Sequence, residues 1–164
     1  MAPAGPNRFQ RAMRSSGGTR AGSWLYIRAQ DQLDEPIFRM TRGRHTMTSL
    51  LAGLPVGMLR TTGARSGRPR QSPLLIYPTS AGQMVIASNY GQARQPAWYH
   101  NLIAHPEATL SLQGTDHRVR ARRLEGETRS RIWREALETY PGLKAYERWA
   151  AGRDIPLLLL EPVS

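Results

Sequence analysis

Between Leu59 and Tyr77 the chain reads Leu-Arg-Thr-Thr-Gly-Ala-Arg-Ser-Gly-Arg-Pro-Arg-Gln-Ser-Pro-Leu-Leu-Ile-Tyr. Apolar runs with strand character flank a centre that gathers two glycines, a proline and three arginines. This arrangement predicts one strand over Val56–Thr62 and another over Arg70–Tyr77, joined by a turn that Gly63, Gly67 and Pro69 allow. Arg65, Arg68 and Arg70 then crowd onto one short loop and repel one another. A multivalent anion among their guanidinium forks turns that repulsion into attraction. Ser66 and the backbone N–H groups around the glycines add neutral donors to the same concavity. The competing reading is a solvated, arginine-rich turn with no ligand.

A length of 164 residues suits one domain with a real core. The net charge of +11 favours anionic partners such as nucleic acid, acidic lipid or a phosphorylated cofactor. Lys144 is the only lysine, so arginine clustering carries more information than arginine abundance. With no cysteine, the chain has no disulfide, thiolate nucleophile, Fe–S cluster or CxxC redox pair. No apolar run reaches the roughly 20 residues of a membrane span. No apolar stretch of signal-peptide type follows the N-terminal arginines, so secretion is not expected and a cytoplasmic location is.

Three segments follow from composition. Residues 1–22 lack acidic side chains and are expected to form a disordered basic arm with Arg8, Arg11, Arg14 and Arg20, either an idle tail or a peripheral contact with an acidic membrane face. Residues 23–54 are expected to form a helical segment: Asp34, Glu35 and Pro36 predict a helix start, and Met47, Leu50, Leu51 and Leu54 keep helical spacing. Residues 55–164 hold the strands. After the hairpin, Gln83–Ser88 is a third strand, Asn89–Pro96 a polar loop and Ala97–Ala104 a short helix ended by His105-Pro106. A helix opening from a glycine-containing polar loop offers an anion or carbonyl site. Ala108–Leu112 alternates as a half-buried strand, and the next strand sets Val119 and Ala121 against Arg118, Arg120 and Arg122. A helix after Gly126, a shorter one over Lys144–Ala151 and a doubly buried strand over Ile155–Leu160 complete the chain. The expected fold is mainly β with flanking helices, a split barrel of about six mostly antiparallel strands.

The familiar catalytic signatures are missing. Gly63-Ala-Arg-Ser-Gly67 would need its serine one place earlier to be a nucleophile elbow, and neither a GxGxxG nor a Walker loop is present. His45, His100, His105 and His117 never take metal-ligand spacing, so no metal site is expected. Glu125 and Glu127 suit a helix start better than acid–base work. An anion-gripping loop, many aromatics and few titratable groups describe a host for a reactive cofactor. Nucleic-acid binding, favoured by charge alone, lacks a recognition-helix or RNP-like pattern and is not expected.

Thr61-Thr-Gly-Ala-Arg-Ser-Gly-Arg-Pro-Arg70, Val85-Ile-Ala-Ser-Asn89, Pro96-Ala-Trp-Tyr-His-Asn-Leu102 and the ending Ile155-Pro-Leu-Leu-Leu-Leu-Glu-Pro162 together resemble the deazaflavin-dependent nitroreductase family. The resemblance runs from about Pro55 to the C-terminus. It implies a split β-barrel binding coenzyme F-420, a phosphorylated 8-hydroxy-5-deazaflavin with an acidic tail. By motif, Arg65, Ser66, Gly67 and Arg70 would hold phosphate and tail, and Pro73 and Leu75 would lie beneath the ring. Ser88, Asn89, Trp98 and Asn101 would line its other side and edge. Ser88, Tyr140 and Tyr146 are the implied catalytic groups near a small-molecule acceptor. Leu143 stands where relatives often carry a further tyrosine, so a quinone or enone is expected as acceptor ahead of a nitro compound. Left open are FMN in place of deazaflavin, a homodimer, and a non-enzymatic split-barrel protein that binds or stores a cofactor or lipid.

Overall fold

The computed structural model describes residues 55–150 and 152–163. The basic arm over 1–22 and the helical segment over 23–54 lie outside the described residues. The organising hairpin forms as its turn chemistry requires. Strand β1 (Val56–Thr62) pairs antiparallel with β2 (Pro69–Leu75), with Val56 opposite Leu75 and Thr62 opposite Pro69.

The second predicted strand, Arg70–Tyr77, is interrupted at Ile76. Beyond that residue begins β3 (Tyr77–Thr79), which pairs with β4 (Gly82–Ile86) instead of β1. Strands β5 (Glu107–Leu112), β6 (Thr115–Arg123) and β7 (Leu157–Pro162) complete a seven-stranded sheet of order β2-β1-β5-β6-β7-β4-β3. Every neighbouring pair is antiparallel. The two edge strands, β2 and β3, are separated in sequence by Ile76 alone. One residue spans a few ångströms at most, so the sheet must curl until its edges approach, giving a half-barrel. Ile76 donates its N–H to the Pro55 carbonyl at 2.8 Å and buries its side chain, which explains the break between two strands of similar composition.

The sheet separates two hydrophobic clusters. Helix α1 (Ala97–Ala104) contributes Trp98, Tyr99 and Leu102 to one, packed with Leu59, Leu110 and Val119. Helices α2 (Gly126–Thr139) and α3 (Leu143–Trp149) contribute Ile132, Trp133, Ala136, Leu143 and Tyr146 to the other, joined by Tyr140 between them. Strand β7 serves both: Leu157 and Leu159 face the second cluster, Leu158 and Leu160 the first. Each of these leucines stabilises the fold by about 1.5–3 kcal/mol through burial. The arginine face of β6 points outward, where Arg120 meets Glu107 at 3.0 Å and Arg122 meets Glu161 at 2.8 Å. Exposed pairs of this kind add little stability, but they neutralise a stripe that charge alone would assign to nucleic acid.

Candidate cofactor site

The turn between β1 and β2 is built around its glycines. Gly63 donates its N–H to the Arg68 carbonyl and accepts from the Gly67 N–H, both at 2.9 Å. A Cβ on Gly63 would stand 2.8 Å from the Ser66 hydroxyl oxygen and 3.1 Å from the Arg68 carbonyl, so any side chain there would displace the hydroxyl and crowd the closing bond. Gly67 takes φ of +65°, a left-handed conformation that glycine adopts without strain. The Ser66 hydroxyl accepts the Arg68 N–H at 3.3 Å. Arg65, Ser66, Gly67, Arg68 and Arg70 are all exposed.

Charge pairing distinguishes this turn from the arginine-rich face of β6 and the start of α2. Arg60, Arg118, Arg120, Arg122, Arg123, Arg129 and Arg131 each have a carboxylate within 4 Å. Among the described residues, Arg65, Arg68 and Arg70 form no ion pair. Three unneutralised guanidinium groups on one rigid turn form an acid-binding surface.

What holds the turn in place is Asn101. Its amide oxygen accepts the Ala64 N–H at 2.9 Å, and its amide nitrogen donates to the Thr61 hydroxyl at 3.0 Å. Asn101 (8% exposed) and Thr61 (5%) are the buried polar side chains among the described residues. The resemblance implies that Asn101 lies along the other side and edge of the cofactor ring. The structure shows both ends of its amide engaged inside the protein, anchoring the residue before Arg65 to α1. Trp98 lies one turn earlier on the same helix, in the α1-side core. Pro73 and Leu75 sit half-buried on β2, a sheet edge, where the missing N–H of proline leaves no ladder bond unmade.

A second loop leaves the end of β4. Asn89 and Tyr90 take φ of 44° and 53°, followed by Gly91 at 74°. A Cβ on Gly91 would come within 2.8 Å of the Trp149 Cβ, so this loop packs flush on α3. The Tyr90 ring meets the Tyr146 ring edge-on at 6.1 Å, and Tyr140 and Trp149 flank Tyr146 at 6.4 and 5.8 Å. Asn89 donates its amide to the Arg94 carbonyl at 2.9 Å, and Ser88 is half-buried beside it. Tyr140 and Tyr146 are buried in the helix-side core, whereas Trp98 belongs to the α1-side core, so the three aromatics do not share a cluster.

Arg153 was invisible in the sequence. It donates from Nη2 to the Ser88 carbonyl at 2.7 Å, and from Nη1 to the Ala87 carbonyl at 3.2 Å and the Gln95 side chain at 2.6 Å. Its Nε donates to the Gln92 carbonyl at 2.9 Å. Burial lowers its pKa from the usual arginine value, partly offset by the neighbouring Asp154. Backbone carbonyls belong to every residue, so no local pattern announces such a contact.

Leu143 departs from expectation. It is 0% exposed within the helix-side core. Leu143→Tyr therefore adds volume to a filled core and is expected to lower stability by about 1–3 kcal/mol. Urea unfolding of the variant checks this, and an unchanged midpoint would show room that the packing denies. Among the described residues no group of His, Asp and Glu side chains gathers as a metal site.

The sequence model of the F420H(2)-dependent quinone reductases matches residues 14–162. A Mycobacterium tuberculosis (strain H37Rv) protein with the provisional name F420H(2)-dependent quinone reductase is 32% identical over 110 residues, 66% of this chain and 91% of the relative. A solved F420-H2 dependent reductase, FDR-A, superposes with a TM-score of 0.57 at 34% identity, covering 65% of this chain and 94% of that one. A further structure, described as a domain-swapped dimer, superposes with a TM-score of 0.60 at 31% identity, covering 85% of this chain and 99% of that one.

Proposed function

Because the chain belongs to the F420H(2)-dependent quinone reductase family, we propose that its arginine turn holds the acidic portion of reduced coenzyme F-420 and that the acceptor is a quinone. The protein is thus an oxidoreductase on a split half-barrel. The residues present suit such a cofactor: Arg65, Arg68 and Arg70 carry no carboxylate partner among the described residues, and the half-buried edge Pro73–Leu75 offers apolar surface to a planar ring. The observation that carries the reading is the unneutralised turn pinned by Asn101.

When bound, the reduced deazaflavin supplies a hydride, and a quinone that takes it up with one proton becomes a hydroquinone. The chain's own part is to bind, orient and deliver the proton. Arg65, Ser66 and Arg70 fix the anionic end, with Gly67 keeping the turn open to it. Pro73 and Leu75 support the ring, with Trp98 stiffening α1 behind the turn. Asn89 and Ser88 form the facing wall. Ser88, half-buried at the loop, is the assigned proton donor, with Tyr140 and Tyr146 held in the helix-side core. Assembly as a homodimer is part of the same proposal, supported by the domain-swapped relative.

FMN shares a phosphate and a planar ring with F-420, so only titration separates them. The purified protein is expected to quench deazaflavin fluorescence saturably and to bind FMN more weakly. Anaerobic oxidation of the reduced deazaflavin should then require added quinone. Binding of FMN alone would refute the cofactor, and binding without quinone-dependent oxidation would refute the acceptor.

A further inference from the structure

We infer that Arg153 is a positioning residue for the cofactor: its guanidinium, reaching back from the segment before β7, sets where Ser88 and Asn89 stand against the bound deazaflavin. The inference rests on the deazaflavin reading above and assigns a role to a residue outside every motif that led to it.

A guanidinium is ordinarily matched by a carboxylate. The adjacent carboxylate, Asp154, is instead taken by Arg123 at 2.8 Å and Arg129 at 2.9 Å. Among the described residues Arg153 forms no ion pair. Its bonds go to the carbonyls of Ala87, Ser88 and Gln92, to the Gln95 side chain and to the Asp154 carbonyl. Four of the five acceptors thus lie on the single loop after β4, and they bracket Ser88 and Asn89 on both sides.

That loop needs an external hold. Tyr90 carries a bulky side chain in left-handed backbone directly after Asn89 in the same region, a run that an unconstrained chain abandons for extended or right-handed conformations. The Tyr90 ring on Tyr146 and the close seat of Gly91 on α3 fix the middle of the loop. Arg153 fixes its two ends, at Ala87–Ser88 and at Gln92–Gln95. The Arg153 backbone is itself anchored, because its N–H bonds the Ala150 carbonyl at 2.9 Å and Asp154 ties the segment to β6 and α2. The fork geometry is essential: one planar group reaches acceptors in several directions, and an ammonium at the same place cannot.

The test compares wild type with Arg153→Lys, which keeps charge without the fork, and Arg153→Ala, which removes both. With cofactor absent, hydrogen exchange at the Gly91 and Gln92 N–H groups should accelerate in both variants. Deazaflavin titration well below the melting temperature should show the dissociation constant raised about 10- to 100-fold, because the loop must then be ordered on binding. The absorbance of the bound deazaflavin should shift in both variants. Millimolar methylguanidinium should restore affinity and absorbance to Arg153→Ala and leave Arg153→Lys unchanged, which ties both readouts to the guanidinium itself. Should Arg153→Ala fail to fold, Arg153→Lys carries the exchange, affinity and spectral comparisons. Wild-type affinity and spectrum in a folded variant would overturn the inference alone. Absence of deazaflavin binding by wild type would instead overturn the functional reading together with it.

Discussion

Arg65→Ala and Arg70→Ala are each expected to weaken deazaflavin binding by about 1.5–3 kcal/mol, roughly 10- to 150-fold, the range for hydrogen bonds to charged groups. Neither arginine has a carboxylate partner among the described residues, so removing one leaves no counter-charge stranded and the fold should keep its melting temperature. The arginines are exposed, so salt screens them, and wild-type affinity should fall as ionic strength rises. In the double variant the salt dependence should flatten, because the charges that salt would screen are gone. Both share one anion, so their losses are not expected to add simply. Titrations at low and high salt read all of this, and two variants with wild-type affinity would remove the cofactor from this turn.

Asn101→Leu should be the most damaging single change at the site for stability. It deletes both bonds of a buried amide and leaves the Ala64 N–H and the Thr61 hydroxyl without partners. Thr61 is buried and its orphaned hydroxyl costs about 1–3 kcal/mol, whereas the exposed Ala64 can turn its N–H to water, so the variant is expected to lose about 1–3 kcal/mol in all. Deazaflavin affinity should fall with it, since Ala64 precedes Arg65 and the turn is no longer tied to α1. Adding Thr61→Val removes one of the orphans and should recover part of the stability. Affinity should stay low, because the Ala64 anchor remains absent. Urea unfolding of the single and double variants decides the point, and an Asn101→Leu protein as stable as wild type would show that the amide is not the anchor.

The legible parts of this protein are those whose causes are local. Gly63, Gly67 and Pro69 announced a hairpin, and β1 spans the predicted Val56–Thr62. Pro96 and His105-Pro106 bounded α1, which runs over the predicted Ala97–Ala104. The unbroken apolar run before Glu161 marked a strand buried on both faces, and Leu157–Leu160 are buried in alternation against two cores. Turn residues, helix ends and side-chain period act over a few positions, so they can be read without a partner.

What the sequence by itself determined, then, is the hairpin with its arginine turn, the strand and helix order, and the chemistry an anion would meet. Only the tertiary structure decided that the strand breaks at Ile76, where one residue passes between opposite edges of the sheet. It also placed Leu143 in the core, gave Asn101 the task of holding Ala64, and led Arg153 to carbonyls as far as 66 residues away in sequence. The physical reason is common to all four. Each depends on which backbone group or cavity arrives beside a side chain after the sheet has curled, and backbone groups are the same at every residue.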